Sequence, residues 1–383
     1  MNKINKIAVV DIETTGSSLS QEDEIIQIGA VIIENKKVIA EHSMLLKPKR
    51  EIPPLISQLT GITNKSVEDS PCFEQVAKLW YERLKDCVFV AHNLSLDLRF
   101  LKHYFKQSNL KFEPLAMDTV NLSKILLPTA EAYNLTQLSH YLSLKFDQAH
   151  DALSDAKVTS QILACLAREV KLLPTSTLLK IRPFVEALHT ADILLFDQPE
   201  IFLIQIDSDK QEISQKLDYL ENKAKVSVDY YETTANYIIE QTNRYLVIED
   251  TQVPIDYHLA LSLAQQLLKR DKKLLISLNQ LINLSEWHEQ IKGLSKGIEI
   301  TELKHPRHFI HLKAFKSVVK NYDFTKYNQH ELIVISATLV WLSMTKTGDY
   351  HELPNELNSY DLIQRLCNQH YLLKDHYYYQ KML

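Results

Sequence analysis

The chain has 383 residues, of which 45% are hydrophobic and 24% charged, the composition of a folded protein long enough for two or three domains at roughly 150 residues each. Lys and Arg number 43 against 48 Asp and Glu, a net charge of -5, which excludes function by bulk attraction to a polyanion. Glycine occurs only 6 times, with none between Gly61 and Gly293, and this excludes both a GxxxxGK[ST] phosphate loop and a GxGxxG dinucleotide site. The cysteines Cys72, Cys87, Cys165 and Cys367 form no CxxC pair and have no zinc or iron-sulfur spacing. The first residues lack a signal-peptide pattern. The longest apolar stretch, Leu332 to Met344, is short for a bilayer and interrupted by Ser and Thr. The expectation is a reduced, cytoplasmic protein with no membrane contact.

Ile7 to Val10 is a short apolar run that reads as a strand buried in a central sheet and stopping at Asp11. Ile25 to Ile33 and Val38 to Leu46 flank the polar turn Glu34-Asn35-Lys36-Lys37, a hairpin signal. Cys87 to Ala91 is a further strand, and Leu94 to Phe105 is helical, with Leu94, Leu98, Leu101 and Phe105 on one face. Asp118 to Leu126, Leu135 to Leu144 and Asp151 to Leu166 also have the helical period. Strands first in a meander and then alternating with helices predict an α/β sheet of mixed strand directions.

Pro174 and the small polar residues after it break the helical pattern and mark a domain boundary. Beyond about residue 178, the helical stretch Tyr257 to Lys269 alternates with strand-like runs at Ile201 to Ile206, Tyr245 to Ile248, Lys273 to Leu278 and Leu332 to Ile335. The charged cluster Lys269 to Lys273 reads as a solvated turn. The predicted organisation is a first domain at 1–172, a helical linker at 173–195 and a smaller α/β domain at 196–383.

Three short patterns carry chemistry. In Asp11-Ile12-Glu13-Thr14-Thr15-Gly16, positions i and i+2 of a strand share a face, so two carboxylates meet at one point, where they repel unless a cation lies between them. A glycosidase pair and an exposed strand end fit the same residues. Ala91-His92-Asn93-Leu94-Ser95-Leu96-Asp97 turns from a strand into a helix and places Asp97 in the first turn, where the helix dipole alone also favours an acid. In Ala149-His150-Asp151-Ala152-Leu153-Ser154-Asp155-Ala156, His150 precedes a helix and Asp155 lies one turn inside it; small residues at 149, 152 and 156 let that helix approach the sheet.

In this order, the three patterns resemble the DnaQ-like 3′-5′ exonuclease superfamily, DEDDh branch, over about residues 5 to 170. Glu24 to Val31, Leu59-Thr60-Gly61-Ile62-Thr63 and Asp118-Thr119 add to the likeness, and Leu96 departs from it by replacing the usual Phe. The resemblance implies a ribonuclease-H-like exonuclease fold, a mixed sheet flanked by helices. It implies that Asp11, Glu13, Asp97 and Asp155 hold two Mg²⁺ or Mn²⁺ ions and that His150 is the general base. It further implies that Thr14, Thr15 and Gly16 contact the terminal sugar and phosphate, with Ile62 near the terminal base and His92 and Asn93 lining the pocket; plain core packing explains Ile62 equally. The substrate expected is the 3′ end of single-stranded DNA, cut to nucleoside monophosphates, with a polymerase or repair protein as partner. RNA trimming by the same fold and a non-catalytic scaffold are the alternatives. Hard oxygen ligands suit such ions, and an imidazole can take a proton from water at neutral pH, so acid should suppress turnover.

The second half resembles what remains of a superfamily 2 helicase, as in Gram-positive DinG-type fusions. Tyr245 to Ala264 looks like a Walker A strand, loop and helix, Lys273 to Leu278 like the next helicase strand, and Ile335-Ser336-Ala337-Thr338-Leu339 like the helicase SAT motif. Thr251-Gln252-Val253-Pro254-Ile255-Asp256 lacks the glycines and lysine of a phosphate cradle and adds an acid. The expectation is a degenerate helicase-like domain with no ATP, no ATPase and no helicase activity. Tyr230-Tyr231 and Tyr377-Tyr378-Tyr379 are candidates for stacking on bases, although edge or core packing explains such tyrosines more simply.

Overall fold

The computed structural model describes residues 6–146, 150–204, 310, 312–321, 323, 328–345 and 348–358. The chain divides into two units, Met1–Ser208 with Pro306–Leu383, and Asp209–His305. The second unit lies outside the described residues. So do the expected elements between 245 and 278, the Walker A-like stretch, the Lys269 to Lys273 cluster and both tyrosine groups.

Five strands, β1 (Lys6–Thr14), β2 (Ile25–Glu34), β3 (Lys37–Leu45), β4 (Val88–Ala91) and β5 (Ala116–Asp118), form one sheet in the order β3-β2-β1-β4-β5. β1, β2 and β3 pair antiparallel, whereas β4 and β5 add in parallel, which makes the sheet mixed. The β2–β3 hairpin turns on Asn35 and Lys36, with φ of 51° and 68°, the left-handed pair that matches the strand twist. β1 does not stop at Asp11 as its apolar run suggested. It continues to Thr14 because β2 goes on pairing it, Asp11 opposite Gly29 and Glu13 opposite Gln27. The two acids are therefore held in a hydrogen-bonded ladder, not on a loose strand end.

Both faces of the sheet are covered, which explains the unbroken apolar runs. α1 (Pro54–Thr60) lies between the hairpin and α2 (Phe73–Leu84) in sequence, and Ile52, Ile62 and Val67 on either side of it bury Ile26. α2 and α3 (Leu94–Gln107) pack on Ala8, Val10, Ile12, Ile28 and Phe89. The opposite face, Ile7, Val9, Val31, Ile33 and Val90, receives α6 (Ala152–Leu172); α4 (Thr119–Leu126), α5 (Leu135–Tyr141) and α8 (Ile193–Asp197) pack on α6, and α7 (Thr175–Glu186) packs on α8 in the same core cluster. Asp11 and Glu13 continue the odd-numbered series of β1 and so lie on the α6 face.

The region after α8 corrects two readings. Pro199–Phe202 is a 3-10 helix where Ile201 to Ile206 suggested a strand; Pro199 opens it and Phe202 is fully buried. Leu332 to Ile335 and the Ser-Ala-Thr after it are not a strand with a helicase-like end. They lie inside a helix, Gln329–Met344, started by a capping box between Asn328 and Glu331. The Ser336 and Thr338 hydroxyls donate to the carbonyls of Leu332 (2.8 Å) and Val334 (2.7 Å), which satisfies them in a helix buried on nearly all sides. A short apolar run cannot distinguish a buried strand from a buried helix. With Leu312–Lys320 as α9, this helix is α10; it packs on α7 and α4 and joins the core cluster on the α6 face.

Candidate active site

The carboxyl ends of β1 and β4 meet the first turns of α3 and α6. Asp97 is 4% exposed, and its Oδ1 accepts the Ile12 backbone N–H at 3.0 Å, tying the first turn of α3 to the residue between Asp11 and Glu13. α6 approaches from the other face at Gly29, where a β-carbon would stand 2.2 Å from the Ala152 carbonyl carbon. No side chain fits there without moving the helix. Gln27, the partner of Glu13 across the strands, fixes that approach: its amide donates to Asp151 Oδ1 (2.8 Å) and its carbonyl accepts from the Ala152 N–H (3.2 Å). Asp151 in turn caps α6 through the Ser154 N–H (3.0 Å).

His150, next to the cap, is exposed and adopts φ 66°, a left-handed conformation unusual for a residue with a β-carbon. One ligand atom from each of Glu13, His150 and Asp155 lies within 4.8 Å of the others. Asp155 is 8% exposed, and its Oδ1 has no hydrogen-bond partner among the described residues. Burial raises the Asp11 carboxyl well above the usual range, reinforced by Asp97, Asp155 and Glu13. Asp97 is raised well above it by burial, against the Ile12 hydrogen bond. Burial and then Asp155 push Glu13 up to about 7; burial pushes Asp155 up to about 6. Acids whose pKa values are all raised, with Glu13 and Asp155 meeting His150, Asp11 and Asp97 interacting with them, and one buried oxygen without a partner among the described residues, fit a divalent cation site of hard oxygen ligands.

This predicts a pH dependence that needs no catalysis. A carboxyl raised by folding stabilises the fold below its unfolded value and loses that contribution as pH rises through its folded value. For Glu13 the window runs from about 4.5 to about 7, so the metal-free protein weakens across it. Cations must displace those protons and therefore bind more weakly in acid. In thermal melts with and without Mn²⁺, the stabilisation by the ion is expected to be several degrees larger at pH 8 than at pH 6. Equal stabilisation at both would count against the site.

The residues expected at the nucleotide end are spread unevenly. The Thr14 hydroxyl donates to the Gly16 carbonyl at 2.6 Å. Thr15 is 8% exposed, and its hydroxyl accepts the Glu24 N–H at 2.9 Å and donates to Asp23 at 3.3 Å. A β-carbon on Gly16 would strike the Asp23 carboxylate at 2.4 Å, so glycine there leaves room for the loop to close. Ile62 is 7% exposed in its own small cluster. Both ring nitrogens of His92 are engaged, with the Thr119 hydroxyl and the Tyr133 carbonyl at 2.9 Å each, and burial lowers its pKa to about 4. Asn93 (φ 71°) starts α3 at the mouth of a cavity that also exposes Ser95, Arg99 and Asn121.

Gln27, Gly29 and Asp151 escaped the residue-by-residue reading of the site. The available signal was Gly29, a lone glycine in a buried strand, which marks close approach of another backbone.

Residues 8–163 match the family described as Exonuclease (RNase_T), and all five strands of the mixed sheet lie in or at the edge of that matched segment. The chain is also similar to proteins described as "3′-5′ exonuclease DinG": 42% identical over 183 residues to that of Bacillus subtilis (strain 168), covering 48% of this chain and 20% of the relative. To that of Staphylococcus aureus (strain USA300) it is 28% identical over 386 residues, covering 90% of this chain and 42% of the relative. The chain thus spans less than half the length of these curated relatives. Among solved structures, "Exonuclease X in complex with 5′ overhanging duplex DNA" matches at 26% identity and TM-score 0.36 over 42% of this chain and 91% of that one. No described helix is long and apolar enough to cross a membrane.

Proposed function

We propose that the protein is a metal-dependent 3′-5′ exonuclease that removes nucleoside monophosphates from the 3′ ends of single-stranded DNA. The observation that carries this is the meeting of Glu13, His150 and Asp155 beside Asp11 and Asp97. Asp11, Glu13, Asp97 and Asp155 would hold two Mg²⁺ or Mn²⁺ ions, which supply charge relief for the scissile phosphate and the leaving 3′ oxygen. His150, exposed at the edge of the carboxylate cluster, takes the proton of the attacking water and passes it to solvent. Thr14, Thr15 and Gly16, which follow Glu13 directly in the chain, and Asn93, at the start of α3, orient the terminal nucleotide. Ile62 and His92 are assigned a supporting part beneath it, because one is packed and the other is fully hydrogen-bonded. Residues 196–383 act without ATP hydrolysis, since the Walker A-like stretch has no phosphate-binding residues. A polymerase or repair protein is the partner class that this activity suits.

Incubation with 3′- and 5′-labelled DNA and RNA oligomers, with Mg²⁺, Mn²⁺ or chelator, tests the proposal. Stepwise metal-dependent shortening of DNA from the 3′ end is the expected result. Faster trimming of RNA would change the substrate. Absence of shortening, with oligomer binding retained, would leave a binding scaffold.

A further inference from the structure

We propose that Asp192, which lies beyond the exonuclease-matched segment, is a positioning residue that sets the first turn of α3 and with it Asp97. The segment 190–192 seals the edge of β5: the Ala191 N–H donates to the Ala116 carbonyl at 2.9 Å, and Asp192 Oδ1 accepts the Asp118 N–H at 2.9 Å. Asp118 passes this on. Its Oδ1 accepts from Val120 (2.9 Å) and Asn93 (3.3 Å), and its Oδ2 from Leu94 (3.3 Å), all backbone N–H groups. Asn93 makes no side-chain cap for α3, so Asp118 caps that helix from another element. One turn on, Asp97 accepts the Ile12 N–H between the two acids of β1. Hydrogen bonds from Asp192 through Asp118 to the start of α3, and the first turn of that helix, therefore join residue 192 to Asp97 and the site.

Stability alone does not account for a carboxylate at 192. Asp192 is fully buried; its Oδ2 makes no hydrogen bond of good geometry among the described residues, and the nearby Thr190 hydroxyl offsets only part of a desolvation that a packed apolar side chain would not suffer. The oxygen that is used is the one that holds Asp118.

The test uses the full chain with Asp192→Ala, which removes the acceptor, and Asp192→Asn, which keeps an amide oxygen in its place. Two readouts are taken: Mn²⁺ affinity of the metal-free protein by electron paramagnetic resonance, and kcat and KM for trimming a 3′-labelled oligomer. Asp192→Ala is expected to weaken Mn²⁺ about 5- to 10-fold and lower kcat about 10-fold, with KM within about 2-fold; Asp192→Asn is expected to restore both. Should Asp192→Ala not fold, Asp118→Asn gives the same signature, because one amide oxygen cannot serve three donors. Lowered thermal stability with unchanged Mn²⁺ affinity would overturn the proposal, as would an Asn variant as impaired as Ala. The activity arm rests on the exonuclease reading, but the Mn²⁺ arm does not: an inactive wild type that shows the Ala–Asn contrast sinks that reading and leaves this one standing.

Discussion

Asp155→Asn is expected to lower 3′-end trimming by at least about 10³-fold in Mg²⁺, while His150→Ala loses about 10²- to 10⁴-fold and keeps ion and DNA binding. The difference follows from where the two side chains stand. Asp155 is 8% exposed, its Oδ1 has no partner among the described residues, and burial raises its pKa against a hydrogen bond from the His150 backbone. Asn removes the charge that a cation needs while keeping the shape, and losing several kcal/mol of charge stabilisation amounts to roughly three decades in rate. His150 is exposed, and its loss leaves all four carboxylates in place. Single-turnover trimming beside Mn²⁺ binding separates the two roles. A fully active His150→Ala protein would remove the general base from the proposal; an Asp155→Asn protein with normal Mn²⁺ affinity and rate would remove Asp155 from the ligand set.

The second large effect lies far from the chemistry. Trp341→Ala is expected to cost about 3–5 kcal/mol and to lower the unfolding temperature by about 10 °C, through the cavity left by a fully buried indole. The indole N–H also donates to Glu352 at 2.8 Å, an interaction lost with it. The informative part is which amides respond. Trp341 sits in α10, which packs on α7 and α4; α4 packs on α6, and α6 lies on the strands β1 and β2 that carry and flank Asp11 and Glu13. Hydrogen exchange of the β1 and β4 amides should therefore accelerate in the variant. Unchanged protection there, with α10 alone destabilised, would mean that these C-terminal helices fold apart from the nuclease.

The sequence by itself determined most elements of the first domain and, through a resemblance, nominated the residues proposed for chemistry. Local geometry puts Asp11 and Glu13 on one strand face and Asp97 and Asp155 near helix starts, but each pattern alone fits a plainer reading, and it is the resemblance of their order to the exonuclease superfamily that nominates the four as one set. The hairpin at Asn35-Lys36 was legible because turn chemistry acts over a few residues. Only the tertiary structure decided what depends on neighbours distant in the chain. It extended β1 through its acids, because β2 supplies the partners. It required glycine at 29, because α6 presses there from more than a hundred residues away. It turned the apolar run at 332–338 into a helix, since surroundings apolar on all sides accept either conformation and the cap at Asn328 favours one. It also brought Asp192 to Asp118. Periodicity records which face a residue shows to the core, but it holds no record of which element fills that core, and that is settled only when the elements pack.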